Sequence, residues 1–221
     1  MILWGTTFSK IQLRQTITDE VFNSGTLDTW VQLDHTDIVE DSETVTSYDG
    51  SVTYEKGTDY QMDYENGKIM CLSSGSMSAN TNYKIDYEYV AYEWTFDADD
   101  GFEMKLRWVR EIAAKMKAQS GKLIESTQGW RLIWEMRAME YDAYSLTDFL
   151  RLTASWRGSD KRIILYPRPS YLPGYEMMNP EDFGYDFLAN KWIGAILTMR
   201  LVSKNVFDNI PAHTGGTGDA T

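Results

Sequence analysis

The sequence predicts a mainly β protein with two helices, an α+β chain in which antiparallel strands dominate. Three observations predict it. Asp49-Gly50 and Asn66-Gly67 each stand between runs rich in Thr, Val and Tyr, the composition of β-hairpins. Tyr83, Ile85, Tyr87 and Tyr89 alternate with Lys84, Asp86, Glu88 and Val90, the period of a half-buried strand. Helical spacing replaces that alternation over 101–118 and 145–157.

Taken in order, residues 1–41 read as short N-terminal strands, part of the main β-domain or an inter-subunit arm. "KIQLRQTI" and "TWVQLDHT" alternate, and Asn23, Ser24 and Gly25 punctuate between them. Residues 42–94 read as an acidic antiparallel β-meander with one buried face. A two-residue type I′ turn at Asp49-Gly50 sets Val45 opposite Tyr54 and Ser47 opposite Val52. A second at Asn66-Gly67 sets Glu65 opposite Lys68, Tyr64 opposite Ile69 and Met62 opposite Cys71.

Residues 95–205 read as a second β-domain carrying both helices. Leu106, Val109, Ile112, Ala113 and Met116 give the first its stripe, with Asp99 or Asp100 as cap and Gly121 as stop. Ser145 and Asp148 mimic a capping box for the second. "WRLIWEMRAM", "KRIILYP", "DFGYDFLA" and "WIGAILTMRLVS" read as strands. "YPRPSYLPGYEMMNP" holds four of the five prolines and reads as a stiff docking loop. Residues 206–221 have the small, polar composition of a C-terminal tail; a neighbouring subunit is expected to hold it.

Charge is uneven. Residues 1–100 carry 5 Lys/Arg against 19 Asp/Glu, and residues 101–221 carry 16 against 14, within a net charge of −12. A sequence-reading DNA face needs basic residues that the first half lacks. An acidic wall past which DNA slides is compatible with it. "MILWGTTFSK" lacks the apolar core of a signal peptide, and no stretch of 18 apolar residues offers a membrane span. Cys71 is the single cysteine, which leaves no internal disulfide and no cysteine-based zinc cluster.

Catalytic and metal readings are weak. "DADDG" places Asp97, Asp99 and Asp100 together, but the sixth and twelfth positions of a calcium loop fall on Phe102 and Trp108. Helix capping accounts for these acids better. Asp59, Asp63 and Glu65 share a strand, with Lys68 placed to neutralise them. His35 and His213 are the only histidines, and neither belongs to a hydrolase, zinc-protease or P-loop motif. No catalytic residue, metal or cofactor is expected. Tyr60, Tyr64, Tyr83, Tyr87 and Tyr89 form either a glycan-stacking platform or the meander's core, and the alternation favours core.

The run "VTSYDGSVTYEKGTDYQMDYENGKIMCLSSGSMSANTNYKIDYEY" resembles a small β-module of tailed-bacteriophage virion proteins. The matching positions are Asp49, Gly50, Tyr54, Gly57, Asp59, Tyr60, Asp63, Tyr64, Gly67 and Ile69, ending in Asp86-Tyr87-Glu88-Tyr89. The second half resembles tail-tube-related folds, which include tube subunits, tail terminators and distal tail (baseplate hub) proteins. The resemblance implies a tail-tube-like β-sandwich or barrel. It also implies a ring, a hexamer, around a channel through which genomic DNA passes without sequence-specific binding. Neighbouring tail or neck proteins would be the other partners, and the virion, assembled in the bacterial host cytoplasm, the location. The rival expectations are a head–tail neck, completion or adaptor protein and, in another class, a carbohydrate-binding module for host recognition. Ring assembly directs attention to Trp108, Arg110, Trp156, Arg157, Tyr166 and Arg168 as subunit-contact candidates.

Overall fold

Alternation and turn chemistry build almost every element of the computed structural model, which describes residues 7–97, 102–117, 123–138, 161–167, 173–178, 183–187 and 195–208. Thirteen strands follow one another among these residues: β1 (Thr7–Asn23), β2 (Trp30–Gln32), β3 (Thr44–Ser47), β4 (Thr53–Tyr54), β5 (Tyr60–Asp63), β6 (Lys68–Cys71) and β7 (Asn82–Asp97). Then come β8 (Phe102–Lys117), β9 (Leu123–Ala138), β10 (Lys161–Tyr166), β11 (Tyr175–Met177), β12 (Phe183–Phe187) and β13 (Ala195–Val202). The protein is mainly β, with antiparallel sheets and no helix among the described residues.

The chain divides into two compact units. One comprises Leu13–Tyr92 with Ser159–Lys161; the other comprises Met1–Gln12, Glu93–Gly158 and Arg162–Thr221. Residues 13–41 therefore share a unit with the hairpins that follow them.

In the Leu13–Tyr92 unit the strands do not run as a simple meander. The first hairpin joins the order β1-β7-β3-β4, whereas the second forms a separate sheet, β2-β6-β5. Inward residues of both sheets share one core: Phe22, Val45, Ile69, Cys71, Tyr83, Ile85 and Tyr87, with Leu33, Ile38 and Met77 from connections. Each fully buried Ile or Leu of this kind contributes about 1.5–3 kcal/mol. The split corrects the single-meander expectation. Asn23 to Gly25 do separate the two expected pieces, with Gly25 at φ +57°; the first lies within β1, which runs for 17 residues, and the second contains the three-residue β2.

Turn chemistry explains two further differences. Val45 pairs with Tyr54 and Ser47 N–H donates to Val52 O at 2.8 Å, as expected. The loop between them is four residues long, however, and of its Asp-Gly pair only Gly50 has positive φ, at +75°. A type I′ turn requires positive φ at both central residues. Here Asp49 stays right-handed because its carboxylate accepts from Ser47 Oγ, Ser51 N and Ser51 Oγ at 2.6, 3.1 and 2.8 Å. In the second hairpin Met62 pairs with Ile69, Asp63 with Lys68 and Tyr60 with Cys71. The expected pairs were Glu65–Lys68, Tyr64–Ile69 and Met62–Cys71. Asp63 accepts from Asn66 N–H at 3.1 Å, which closes a four-residue loop and leaves Gly67 alone at φ +61°.

In the other unit β8 and β9 form a long antiparallel hairpin, extended by β13 and β12 in the order β12-β13-β9-β8. The helix expected over 101–118 is thus a strand. Its helix-like stripe has two causes. Leu106 and Val109 lie on opposite faces of β8, and both are exposed, so alternation is blurred. Beyond Glu111 the register slips: Gln128 and Ala113 are each passed over, as compensating bulges between Glu111↔Gly129, Ile112↔Thr127 and Ala114↔Ser126. The helix expected at 145–157 lies outside the described residues. β10 pairs with β11 through Ile163↔Met177 and Leu165↔Tyr175, so part of the proline-rich run is strand. Trp134, Leu132, Leu165 and Leu201 are fully buried.

Candidate subunit-contact surface

β8 is the outer strand of its sheet: among the described residues it pairs only with β9. Its middle reads Lys-Leu-Arg-Trp-Val-Arg over 105–110, three cations without an acid. Leu106 is 36 % and Val109 39 % exposed, on opposite faces of the strand. A long open edge of this kind offers unpaired amides and carbonyls to another strand. Lysine and arginine on such an edge also discourage indiscriminate pairing; Arg107 is paired with Glu135 at 2.6 Å.

The residues expected at subunit contacts take different positions. Arg110 is exposed, its guanidinium 5.7 Å from the Trp130 ring centre. Trp108 is half-buried and serves its own unit: it meets Phe207 at 5.3 Å and Tyr175 at 5.9 Å, both edge-on. Phe207 also exchanges backbone hydrogen bonds with Trp130, at 2.9 and 2.7 Å. The start of the expected tail is therefore bound to β9. Its remainder, from 209, lies outside the described residues. Tyr166 is half-buried beneath Lys10 Nζ, 5.2 Å from its ring centre. Trp156, Arg157 and Arg168 lie outside the described residues. The cluster of six is thus not assembled into one patch by what is described. Leu106 and Val109, which the sequence places on a helix stripe, are exposed apolar groups of this edge.

Arg131 braces the base of that edge. Its Nε donates to Glu111, and its Nη1 donates to the carbonyls of Ser203 and Lys204 at 2.8 and 3.0 Å. One guanidinium fork thereby joins β8, β9 and the segment after β13. Gly129, at φ +133°, lets that segment approach: an added Cβ would stand 2.4 Å from Phe207 O.

Asp59 and Asp63, two of the acids that the sequence groups on one strand, have structural partners. Asp59, 7 % exposed, accepts from Ser76 N and Oγ at 2.8 and 2.7 Å and from Glu55 N at 2.9 Å, and these bonds hold its carboxyl below the usual range. Asp63 is held low by Asn66, with Lys68 adding a smaller electrostatic share. Among the described residues no group of three His, Cys, Asp or Glu is placed to hold a metal. Asp99 and Asp100 lie outside them. Tyr60, Tyr83 and Tyr87 are buried, and Tyr64 and Tyr89 pack against the same core. Cys71 is buried, which pushes its thiol up to about 11 and leaves it unreactive at neutral pH.

His35, the one histidine among the described residues, has a built environment. Its ring stacks on Tyr89 at 4.0 Å, and Nδ1 lies 2.8 Å from Tyr87 Oη. Tyr87 donates to Glu20, whose other oxygen accepts from Asp34 N at 2.9 Å. The order acid, tyrosine, histidine orients an imidazole, but no nucleophile stands in the set. Sequence reading could not have found it, since its members come from β1, a loop and β7.

Residues 1–95 match a family described as Protein of unknown function UCP028589, less than half of the chain. No curated protein matches it.

Proposed function

We propose that the chain is a structural bacteriophage virion protein of the tail or tail-associated assembly, a distal-tail or tube-like subunit that forms a ring around the DNA channel. The observation that carries this reading is the edge of β8, a sixteen-residue strand that among the described residues pairs only with β9 and has exposed Leu106 and Val109 between basic side chains. Such an edge suits strand-to-strand assembly of like subunits. The dG…DY…DY…G.I…DYEY pattern over 49–89 supports the virion setting by its resemblance to the phage β-module. The role is mechanical, without catalysis. In this reading the β12-β13-β9-β8 sheet belongs to a tail-tube-like sandwich or barrel, and the acidic Leu13–Tyr92 unit accompanies it.

A neck or head–tail completion protein uses the same physics of ring closure at a different axial position. Negative-stain imaging of the purified protein tests for a ring, expected with six-fold symmetry. Immunogold labelling of the virion then separates tail tip from neck. A protein that stays monomeric at high concentration, and labels no part of a phage particle, would overturn the reading.

A further inference from the structure

We propose that the basic edge of β8 docks, as an added strand, on the β2 edge of a second copy's acidic unit. The inference rests on the self-assembly reading above and names the surfaces that would meet. Residues 13–92 carry four Lys/Arg against fifteen Asp/Glu, while 105–110 carry three cations and no acid. Opposite charge of this size steers two copies together and penalises pairing of like edges.

The choice of β2 follows from the edges that the acidic unit leaves open. Its smaller sheet has the order β2-β6-β5, and the β5 side is bridged by Lys56 against Tyr60. In the other sheet β4 is only two residues long. β2 is flanked by Asp28 and Asp34, both exposed, with no Lys or Arg from 27 to 34. Trp30 on β2 is 42 % exposed, beside Met70 in register. An exposed tryptophan on a strand flanked in sequence by Asp28 and Asp34 is a favourable seat for an arginine such as Arg110, through stacking and charge together.

Each copy carries one edge of each kind, so the contact is heterologous and propagates head to tail, closing into a ring when the rotation permits. Val31, between Trp30 and Gln32, turns inward to the core and fixes β2 in place.

A benzophenone amino acid at Leu106, in a one-to-one mixture of unlabelled and heavy-nitrogen-labelled protein, tests the contact. The expected product is a mixed-isotope cross-link to the peptide containing Trp30. Lys105→Glu with Arg110→Glu should weaken self-association by about tenfold or more, given roughly 1 kcal/mol for each reversed pair. Trp30→Ala should weaken it while leaving the circular dichroism spectrum unchanged. Oligomers that cross-link elsewhere, or only within one chain, overturn this docking and leave the ring reading standing. Absence of any oligomer in solution and of any ring in the particle overturns both.

Discussion

Tyr87, only 1 % exposed, gives its phenolic proton to the carboxylate of Glu20 while His35 Nδ1 lies 2.8 Å from the same oxygen. Since the phenol has one proton and spends it on Glu20, its oxygen must accept from His35. His35 Nδ1 therefore carries a proton. Burial first, and then the bond to Glu20, push the tyrosine pKa well above its ordinary value. Tyr87→Phe keeps the ring and strands two polar partners, at a cost of roughly 1–3 kcal/mol. Urea denaturation followed by tryptophan fluorescence measures it; a change below about 0.3 kcal/mol would mean that water replaces the hydroxyl without loss.

Gly67 and Gly50 separate backbone strain from steric exclusion. Both have positive φ, at +61° and +75°. A Cβ at Gly67 would stand 1.8 Å from the carbonyl oxygen of His35, whereas at Gly50 nothing lies within 4 Å. Gly50→Ala should therefore cost only the left-handed penalty, about 1–2 kcal/mol. Gly67→Ala should cost clearly more, because the 33–38 segment must also move. That segment is tied to the hairpin by Leu33 N to Gly67 O and Ile38 N to Tyr64 O, both at 2.9 Å. Equal losses for the two variants would show that the segment yields freely.

What the sequence made legible follows from the range of each interaction. The alternation of Tyr83, Ile85 and Tyr87 was readable because a strand's two faces are written in consecutive residues. The second hairpin's register was missed by two residues because the Asn66-Gly67 pair looks like a complete turn. Asp63, three residues before Asn66, lengthens the loop through its side chain. β8 was misread because its bulges and open faces imitate a helical stripe. The split into two sheets was not legible either: β2 finds β6 across a separation that no local pattern encodes. The same holds for His35, which meets Tyr87 from 52 positions away.

Acid should loosen the Leu13–Tyr92 unit. Asp59 is held low by bonds from Glu55 and Ser76, and Asp49 is lowered to about 2 by Ser47 and Ser51. A carboxylate whose folded pKa is depressed stabilises the fold above its unfolded value, about 3.9. That stabilisation is complete above this pH and disappears as pH falls through the folded value, near 2 for Asp49. Denaturation midpoints should thus be insensitive to these two groups from pH 5 to 7 and fall below pH 4. Asp59→Asn should flatten that acid limb while lowering stability at pH 7. An unchanged acid limb in this variant would assign the pH dependence to other carboxylates.

Arg131 is the strongest test of how the β8 edge is held. Its fork reaches Glu111 on β8 and two carbonyls after β13, beside the register slip that follows Glu111. Lysine keeps the charge but offers no planar fork, so Arg131→Lys should lose about 1–2 kcal/mol. Arg131→Met should lose more, because Glu111 and the carbonyls of Ser203 and Lys204 keep their demand for a donor. If that demand is the cause, Glu111→Gln should offset part of the loss, and a double-mutant cycle should give a coupling of roughly 0.5–3 kcal/mol. Strict additivity would reduce the contact to a solvent-screened surface pair, worth at most about 1 kcal/mol. Among the described residues the β8 edge would then owe its position to β9 pairing, the Arg107–Glu135 and Arg110–Trp130 contacts and the Trp108–Phe207–Tyr175 cluster.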